Sequence, residues 1–587
     1  MLDKNVTPEF GLKNLSPEPA AYAPPGLSIQ GFGYIGSPSW IPNGAIDINR
    51  QFVEQLTYDR GRHSIKTGAD IRLLRYNDLG YAIQNGTYSF ANQYTGNAMA
   101  DFLLGIPQSA YAHRSGGKGF SFKTTNGEYS FFLQDDIKLT RKITVNTGLR
   151  YELAQWPQED NNEFAVWDFE KGRVDFAGKD IPRRIAPSDR NNWGPRLGLA
   201  YAPFKKTVIR AGAAVMYGNF RQWEVALFHF SPPFVYENLD FNDFPTPRFT
   251  MGTLWPAPEP IDRIDFRGVT VNYQSPDKVL PTMYHWTLGI QHEVLPNLLF
   301  EIAYAGNRSV RQPNRWDANP ARQDADLAHA TPTQSRRPYQ NVGFVSGNTS
   351  RAWSNYNALN LRLERRYTSG LSVLGVYTWS KAMAIRPYDN WTVMDINNIR
   401  LNYGPVNDFT HNAVISYVYD LPFGAGKRFL GDMHGIADRI IGGWQVNGIT
   451  SFRSGAALSL TSPVSNNRGN RAGNRPDRIA DGNLPESQRT VERWFDISAF
   501  RDPVLGAYGN SGEGIIRGPG LANWDLSIFK NFRIREGKTF QFRWEMFNAF
   551  NNVNLMNPST YNGDLRFGSI SGALTAREMQ AGLKLLF

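Results

Sequence analysis

Ile143-Thr-Val-Asn-Thr-Gly-Leu-Arg-Tyr-Glu-Leu153 puts Ile143, Val145, Leu149, Tyr151 and Leu153 on one side of an extended chain. Thr144, Asn146, Gly148, Arg150 and Glu152 fall on the other. Successive side chains of a strand point to opposite faces, whereas a helix repeats every 3.6 residues, so alternation sustained this far specifies a strand. The residues just before it behave the same way. Tyr129, Phe131, Leu133, Ile137 and Leu139 share an apolar face, and Thr140-Arg141-Lys142 makes the turn between the two strands. Asp135 interrupts that apolar face. Two placements accommodate it: an interfacial position near the turn, or a bulge that rotates it inward.

The hairpin recurs along the chain. Asn49–Asp59 and Ser64–Tyr76 meet at Gly61-Arg62-His63. Leu197–Tyr201 turns at Phe204–Lys206 into Ile209–Tyr217, and Tyr284–Val294 turns at Pro296-Asn297 into Leu298–Tyr304. Leu359–Tyr367 turns at Thr368–Gly370 into Leu371–Trp379. Ala413–Tyr419 is joined to Trp444–Phe452 by a longer connection, and Trp524–Ile534 turns into Phe540–Met546. Between hairpins lie long polar segments: Gln155–Pro195, Gly218–Pro281, Ser309–Trp353, Met383–Thr410, Gly455–Ala522 and Phe550–Glu578. Loops of that length are uncommon in a compact soluble domain. Short turns at one end and long loops at the other describe a barrel of the outer-membrane type, with its turns in the periplasm and its loops outside.

The two faces agree with this. One carries Leu, Ile, Val, Phe and Ala with Tyr and Trp near strand ends, which suits lipid and its interfaces. The other carries Arg150, Glu152, Glu293, Arg362, Glu364, Arg543 and Glu545, which suits a watery lumen. The last strand, with Met579, Ala581, Leu583, Leu585 and Phe587 on its apolar face, follows a long loop and so descends to the periplasmic side. The expected fold is therefore all-β: an antiparallel transmembrane β-barrel with about 16 strands in this chain. Residues 1–48 read as a loop-rich segment and 49–587 as the barrel. In 77–127 only a short helix near Ala98–Gly105 and short strands at Gln108–His113 and Phe120–Thr124 suggest themselves.

Composition is consistent with this reading. The chain has 587 residues, 13% aromatics and many Gly and Pro, a profile of turns and strands rather than disorder. It has no Cys, which excludes disulfides, thiolate metal sites and a Cys nucleophile. The net charge is +10, but Lys and Arg are scattered, often next to Asp, Glu or Asn, which describes a solvated polar surface more than a nucleic-acid footprint. There is no uninterrupted apolar run of helix-spanning length, a test that a β-barrel passes unseen. Met1–Pro8 has neither the apolar core nor the cleavage site of a secretory signal.

No catalytic constellation assembles, so no enzyme and no cofactor is expected. The eight His residues are scattered without metal-ligand spacing. Gly512–Gly518 and Gly424–Lys427 lack the context of phosphate-binding loops. The best binding candidate is the basic, amide-rich stretch Asn466–Arg478, with Arg468, Arg471, Arg475 and Arg478 suited to an anionic or sugar-like ligand or to lipopolysaccharide. Its alternative is a flexible solvated loop. The aromatics of Phe228–Tyr236 suit ligand stacking or packing of the loop on the barrel rim.

Several stretches resemble TonB-dependent outer-membrane receptors, and among them the Oar-like branch. They are Gly61–Asp70, the hairpin Phe131–Glu152, Tyr377-Thr-Trp-Ser-Lys381, Gly518–Phe532, Phe542–Asn551 and the closing Gly582–Phe587. The resemblance runs from about Asn49 to the end. It implies a 22-stranded barrel around a plug, and import of a scarce, large solute driven by TonB. It implies that this chain is the C-terminal barrel portion, with TonB acting only through an N-terminal part. It also implies an outer-membrane location among lipid and lipopolysaccharide. Met579–Phe587 resembles the signal read by the outer-membrane insertion machinery. Two further readings stand beside it: a passive porin-like channel, and a secreted or surface β protein that binds glycans through its loops.

Overall fold

The computed structural model describes the chain except residues 1–3, 14, 16–21, 38–43, 79–84, 92, 116–121, 221–224, 226, 243–245, 248, 254–262, 324–331, 386–392, 407, 465–472, 505 and 536. Among the described residues, fifteen long strands belong to one sheet. They are β1 (Ala45–Arg60), β2 (His63–Asp78), β3 (Phe122–Lys138), β4 (Ile143–Ala154), β5 (Asn192–Phe204), β6 (Thr207–Tyr217), β7 (Thr282–Leu295) and β8 (Leu298–Asp317). They continue with β9 (Val345–Thr368), β10 (Leu371–Ile385), β11 (His411–Asp420), β12 (Trp444–Arg453), β13 (Leu521–Arg535), β14 (Lys538–Phe547) and β15 (Glu578–Leu586). Each pairs antiparallel with the next in chain order.

The register keeps the two faces separate across the sheet. Leu133 lies opposite Leu149, Ile290 opposite Ile302, Ile302 opposite Leu361, and Trp544 opposite Ala581. The other face pairs Asp136 with Asn146, Gln291 with Glu301, Glu301 with Arg362, and Glu545 with Gln580. Register shifts occur beside the turns, at Tyr201/Phe204, Glu293/Leu295, Arg365/Thr368 and Arg533/Arg535, and towards the loop end of β8 at Ser309/Gln312 and Gln312/Asn314. None falls between β2, β3 and β4, so no bulge turns Asp135 inward. It stays on the outer face close to the turns, where His63 Nδ1 lies 2.6 Å from its Oδ2.

Gly306 and Gly448 on the outer face sit under aromatic rings of the neighbouring strand, Trp286 and Tyr417. A Cβ at Gly306 would come within 2.4 Å of the Trp286 indole, directly across the β7–β8 ladder. Gly306→Val is therefore expected to destabilise the barrel by about 1–3 kcal/mol through overpacking. Adding Trp286→Ala should recover part of the loss in a denaturant titration, because the two sites share one space.

The buried side chains lie elsewhere. Trp156, Trp167, Tyr88, Phe90, Phe122, Phe164, Phe228 and Phe495 are among the largest fully enclosed ones, and nearly all belong to the connections at the long-loop end. A membrane barrel has lipid against its apolar face, so its protein-enclosed cores form in the loops instead. One is built on a five-stranded sheet of 26–29, 33–35, 87–90, 109–115 and 235–241, around Leu27, Ile29, Tyr88, Phe90, Phe249 and Met251. Another gathers Phe122, Trp156, Phe164, Phe220, Phe228 and Leu280, and a third Trp167, Val174, Val271, Val342 and Val345. Phe228–Tyr236 thus packs inside the cap, with Phe228 and Val235 buried. The short helix is Ala98–Leu103, N-capped by Asn97.

Both ends of the long segment Ser309–Trp353 prove to be strand. β8 runs on past Ser309 to Asp317, and β9 starts at Val345 rather than near Trp353. At the sheet's two edges, β1 and β15 are exposed at every residue. Both run from the long-loop end to the turn end. Pairing them directly would make a parallel ladder, so an all-antiparallel closure takes an odd number of strands between them.

Candidate functional site

The polar face of β2, β3 and β4 forms a continuous charged wall beneath the cap. Alternation brings Lys66, Asp70 and Arg72 of β2 beside Glu128, Gln134 and Asp136 of β3 and Asn146, Arg150 and Glu152 of β4. Arg72 lies 3.0 Å from Asp70 and 3.9 Å from Glu128. Arg150 Nε lies 2.6 Å from Glu152, and its Nη2 is 4.0 Å from Asp70. Five charges are thereby linked across three strands. They border a cavity of about 270 Å³ that also touches Tyr217 and Asn219. Closer to the turns, Asp136 accepts from Lys66 (3.0 Å), Gln134 (2.9 Å) and Asn146 (2.5 Å).

Arg362 and Glu364 of β9 repeat the two-residue couple at 2.7 Å, and Gln291 donates to Glu301 at 3.1 Å. On β14 and β15, Arg543 donates to Gln541 and Gln580 to Glu545. Charges at positions i and i+2 share a face in a strand. The wall therefore carries alternating signs that hold one another while one side remains open to water. Among the described residues no cluster of three or more His, Asp or Glu is arranged to hold a metal ion.

The arginine-rich stretch divides in two. Arg468 and Arg471 lie outside the described residues. Arg475 is buried, donating to the Leu401 and Ser511 carbonyls and to Asn402 Oδ1, and pairing with Glu513 at 3.1 Å. Arg478 pairs with Asp481 at 2.7 Å and donates to the Ala480 carbonyl. Both hold the base of the loop. Of the terminal set, Met579, Ala581, Leu583 and Leu585 face outward opposite Met546, Trp544, Phe542 and Phe540, and Phe587 lies past the strand, fully exposed.

Two other buried charges were not visible in the sequence pattern. Arg517 Nη2 pairs with Asp408, which is 1% exposed, at 2.5 Å, and Arg337 pairs with Asp317 at 3.3 Å. The first joins two long loops, and the second ties a loop to the end of β8. Their partners lie 109 and 20 residues away, beyond any local spacing rule.

In the cap, His229 is enclosed between Phe122 and Phe234, with its Nδ1 3.3 Å from the Glu163 carbonyl oxygen. Burial pushes its pKa down to about 4, so it is neutral in the folded cap. The unfolded chain takes up this proton near pH 6.5. The folded pKa is the lower one, so the stabilisation is complete above pH 6.5 and is lost as pH falls towards 4. His229→Phe should flatten the rise in protease sensitivity of the cap across that interval.

A family described as outer membrane beta barrel domain matches residues 2–580. The chain belongs to that family. This outer-membrane barrel resides in the cell outer membrane, and its apolar face is its lipid face. Solved structures of similar fold include the outer-membrane transporter YddB from Escherichia coli (10% identity, TM-score 0.45, 96% of this chain and 57% of that one). The ferric enterobactin receptor PfeA from Pseudomonas aeruginosa gives 10% identity, a TM-score of 0.46, and 94% and 55% coverage. The siderophore receptor PiuA from Acinetobacter baumannii gives 11%, 0.42, and 92% and 56%. The barrel spans little more than half the length of each. No curated protein matches its sequence.

Proposed function

We propose that this barrel is the wall and extracellular cap of a TonB-dependent transporter that imports a large or scarce solute. The observation that carries the reading is the charged inner wall of β2–β4, lying open beneath an ordered cap with cores of its own. A wide lumen is needed to pass a large solute, and loops of this size select at its mouth. TonB is the energy-coupling partner in this reading, and lipopolysaccharide and the insertion machinery are partners of the outer surface and of Met579–Phe587.

The test is growth or uptake on candidate solutes in cells that carry the receptor with or without TonB, together with single-channel recording. Uptake that requires TonB and a closed resting conductance are expected. A steady open conductance independent of TonB would overturn the reading in favour of a passive pore. Within it, Arg468 and Arg471 are the candidate solute contacts, and replacing both with Ala should weaken uptake without altering assembly.

A further inference from the structure

The turn end of the barrel contains one long connection. Residues 421–443 join β11 to β12, whereas the six other connections at that end have two to four residues. The stretch reads Leu421-Pro-Phe-Gly-Ala-Gly-Lys-Arg-Phe-Leu-Gly-Asp-Met-His-Gly-Ile-Ala-Asp-Arg-Ile-Ile-Gly-Gly443. It is a folded unit. The Gly424 amide donates to the Phe429 carbonyl and the Phe429 amide to that of Pro422, with the Phe423 and Phe429 rings 5.7 Å apart. A short helix, Gly435–Ile441, packs back on this loop through Asp438, which accepts from the Ala425 amide at 2.6 Å.

Its attachment to the barrel determines where it lies. Lys530 belongs to the outer face of β13, in the same row as Ile528 and Phe532 and opposite Trp444. Its ammonium group donates to the Ile440 carbonyl at 3.0 Å and to the Gly442 carbonyl, and lies 5.1 Å and 5.2 Å from the Trp444 and Phe532 ring centres. Trp444 Nε1 donates to the same Ile440 carbonyl at 2.9 Å. The end of the helix is therefore held against the side of the barrel that faces lipid. Lys530 itself is covered, at 3% exposed.

What the unit presents outward is apolar. Ile436 and Ile440, one helical turn apart on one face, are 76% and 63% exposed. Phe429 and Leu430 are 47% and 52% exposed. Lys427, Arg428 and Arg439 flank them, and the Arg428 guanidinium lies 5.4 Å from the Phe429 ring centre. Apolar side chains continuous with the lipid-facing band, edged by cations, fit the boundary between acyl chains and anionic headgroups.

We propose that residues 421–443 are an interfacial anchor seated in the periplasmic leaflet. Ile436, Ile440, Phe429 and Leu430 enter the acyl region, and Lys427, Arg428 and Arg439 meet the phosphates of phospholipid headgroups. The inference rests on the barrel reading, which fixes the turn end as periplasmic.

The chain has no Cys, so Ile436→Cys gives a unique site for an environment-sensitive fluorophore. Lys205→Cys, in the turn between β5 and β6, is the water-exposed control, and Ile302→Cys is the lipid control. In phosphatidylethanolamine–phosphatidylglycerol vesicles the label at 436 should be quenched by headgroup-proximal nitroxide lipids, with an iodide quenching constant about fivefold below that at 205. Replacing Lys427, Arg428 and Arg439 with Gln should raise iodide access more in vesicles containing phosphatidylglycerol than in those without it. Iodide access at 436 equal to that at 205, with heat-modifiable migration intact, overturns the anchor alone. Protection that appears only at high protein density overturns it in favour of contact between copies. Loss of vesicle partition by the parent protein overturns both the anchor and the barrel reading.

Discussion

Ile302→Arg is expected to lower the unfolding free energy of the barrel in phospholipid vesicles by about 2–4 kcal/mol, the cost of a cation near the bilayer midplane. Ile302 lies between Ile290 of β7 and Leu361 of β9 on the outer face. Tyr304 and Trp379 lie towards the loop end of this row and Tyr367 towards the turn end, so the position is near the middle of the apolar band. The matching change on the other face is Gln291→Arg. Gln291 already donates to Glu301, and Arg can take over that contact in a watery lumen. Its effect should stay within about 0.5 kcal/mol, as for an ordinary surface substitution. Denaturant titration followed by heat-modifiable migration reads both. Equal costs at 291 and 302 would mean that both faces meet water, and the assignment of the lipid face would fail.

The spanning strands were legible because their signal is local. Each face meets a single solvent, lipid or water, so Leu359, Leu361 and Leu363 alternate cleanly with Asn360, Arg362 and Glu364. The pattern fades in the same strand above the membrane. Val345–Ser350 is buried at every residue, because loop segments cover both faces there. A strand covered on both sides no longer alternates, which is why Ser309–Trp353 reads as loop although its two ends are strand. The cap was illegible for a related reason. Its pairings are remote, such as 26–29 parallel to 87–90 and 271–274 parallel to 345–348, and no short-range pattern encodes them. Asp135 posed a choice that local sequence leaves open, and it is settled by the unbroken pairing of β3 with β2 and β4, which sets it beside a histidine 72 residues away.

Arg475→Met is expected to cost the cap about 3–5 kcal/mol, the penalty for stranding a buried charge. Arg475 and Glu513 are 5% and 7% exposed, and the guanidinium also satisfies the Leu401 and Ser511 carbonyls and Asn402 Oδ1. Without it the Glu513 carboxylate keeps the Ser459 hydroxyl but loses the Arg475 guanidinium, in a site that water enters poorly. Three segments then lose their common tie: 401–402, 474–478 and 511–513. The cores of the remaining cap and the barrel ladder do not run through this residue, so opening should be confined to the neighbouring loops. Limited proteolysis should produce new cleavage within 456–520, while the barrel keeps its heat-modifiable migration. The double variant Arg475→Met, Glu513→Met should be less destabilised than the sum of the single changes, since it removes the orphaned charge as well as the pair. A residue that acts only by touching solute behaves in the opposite way: uptake falls and protease resistance stays. That second pattern is the one expected of the Arg468→Ala, Arg471→Ala pair. The resemblance in composition among these four arginines therefore covers two roles. Arg475 and Arg478 hold the loop's base, and Arg468 and Arg471 are the pair whose replacement tests whether the loop meets a ligand.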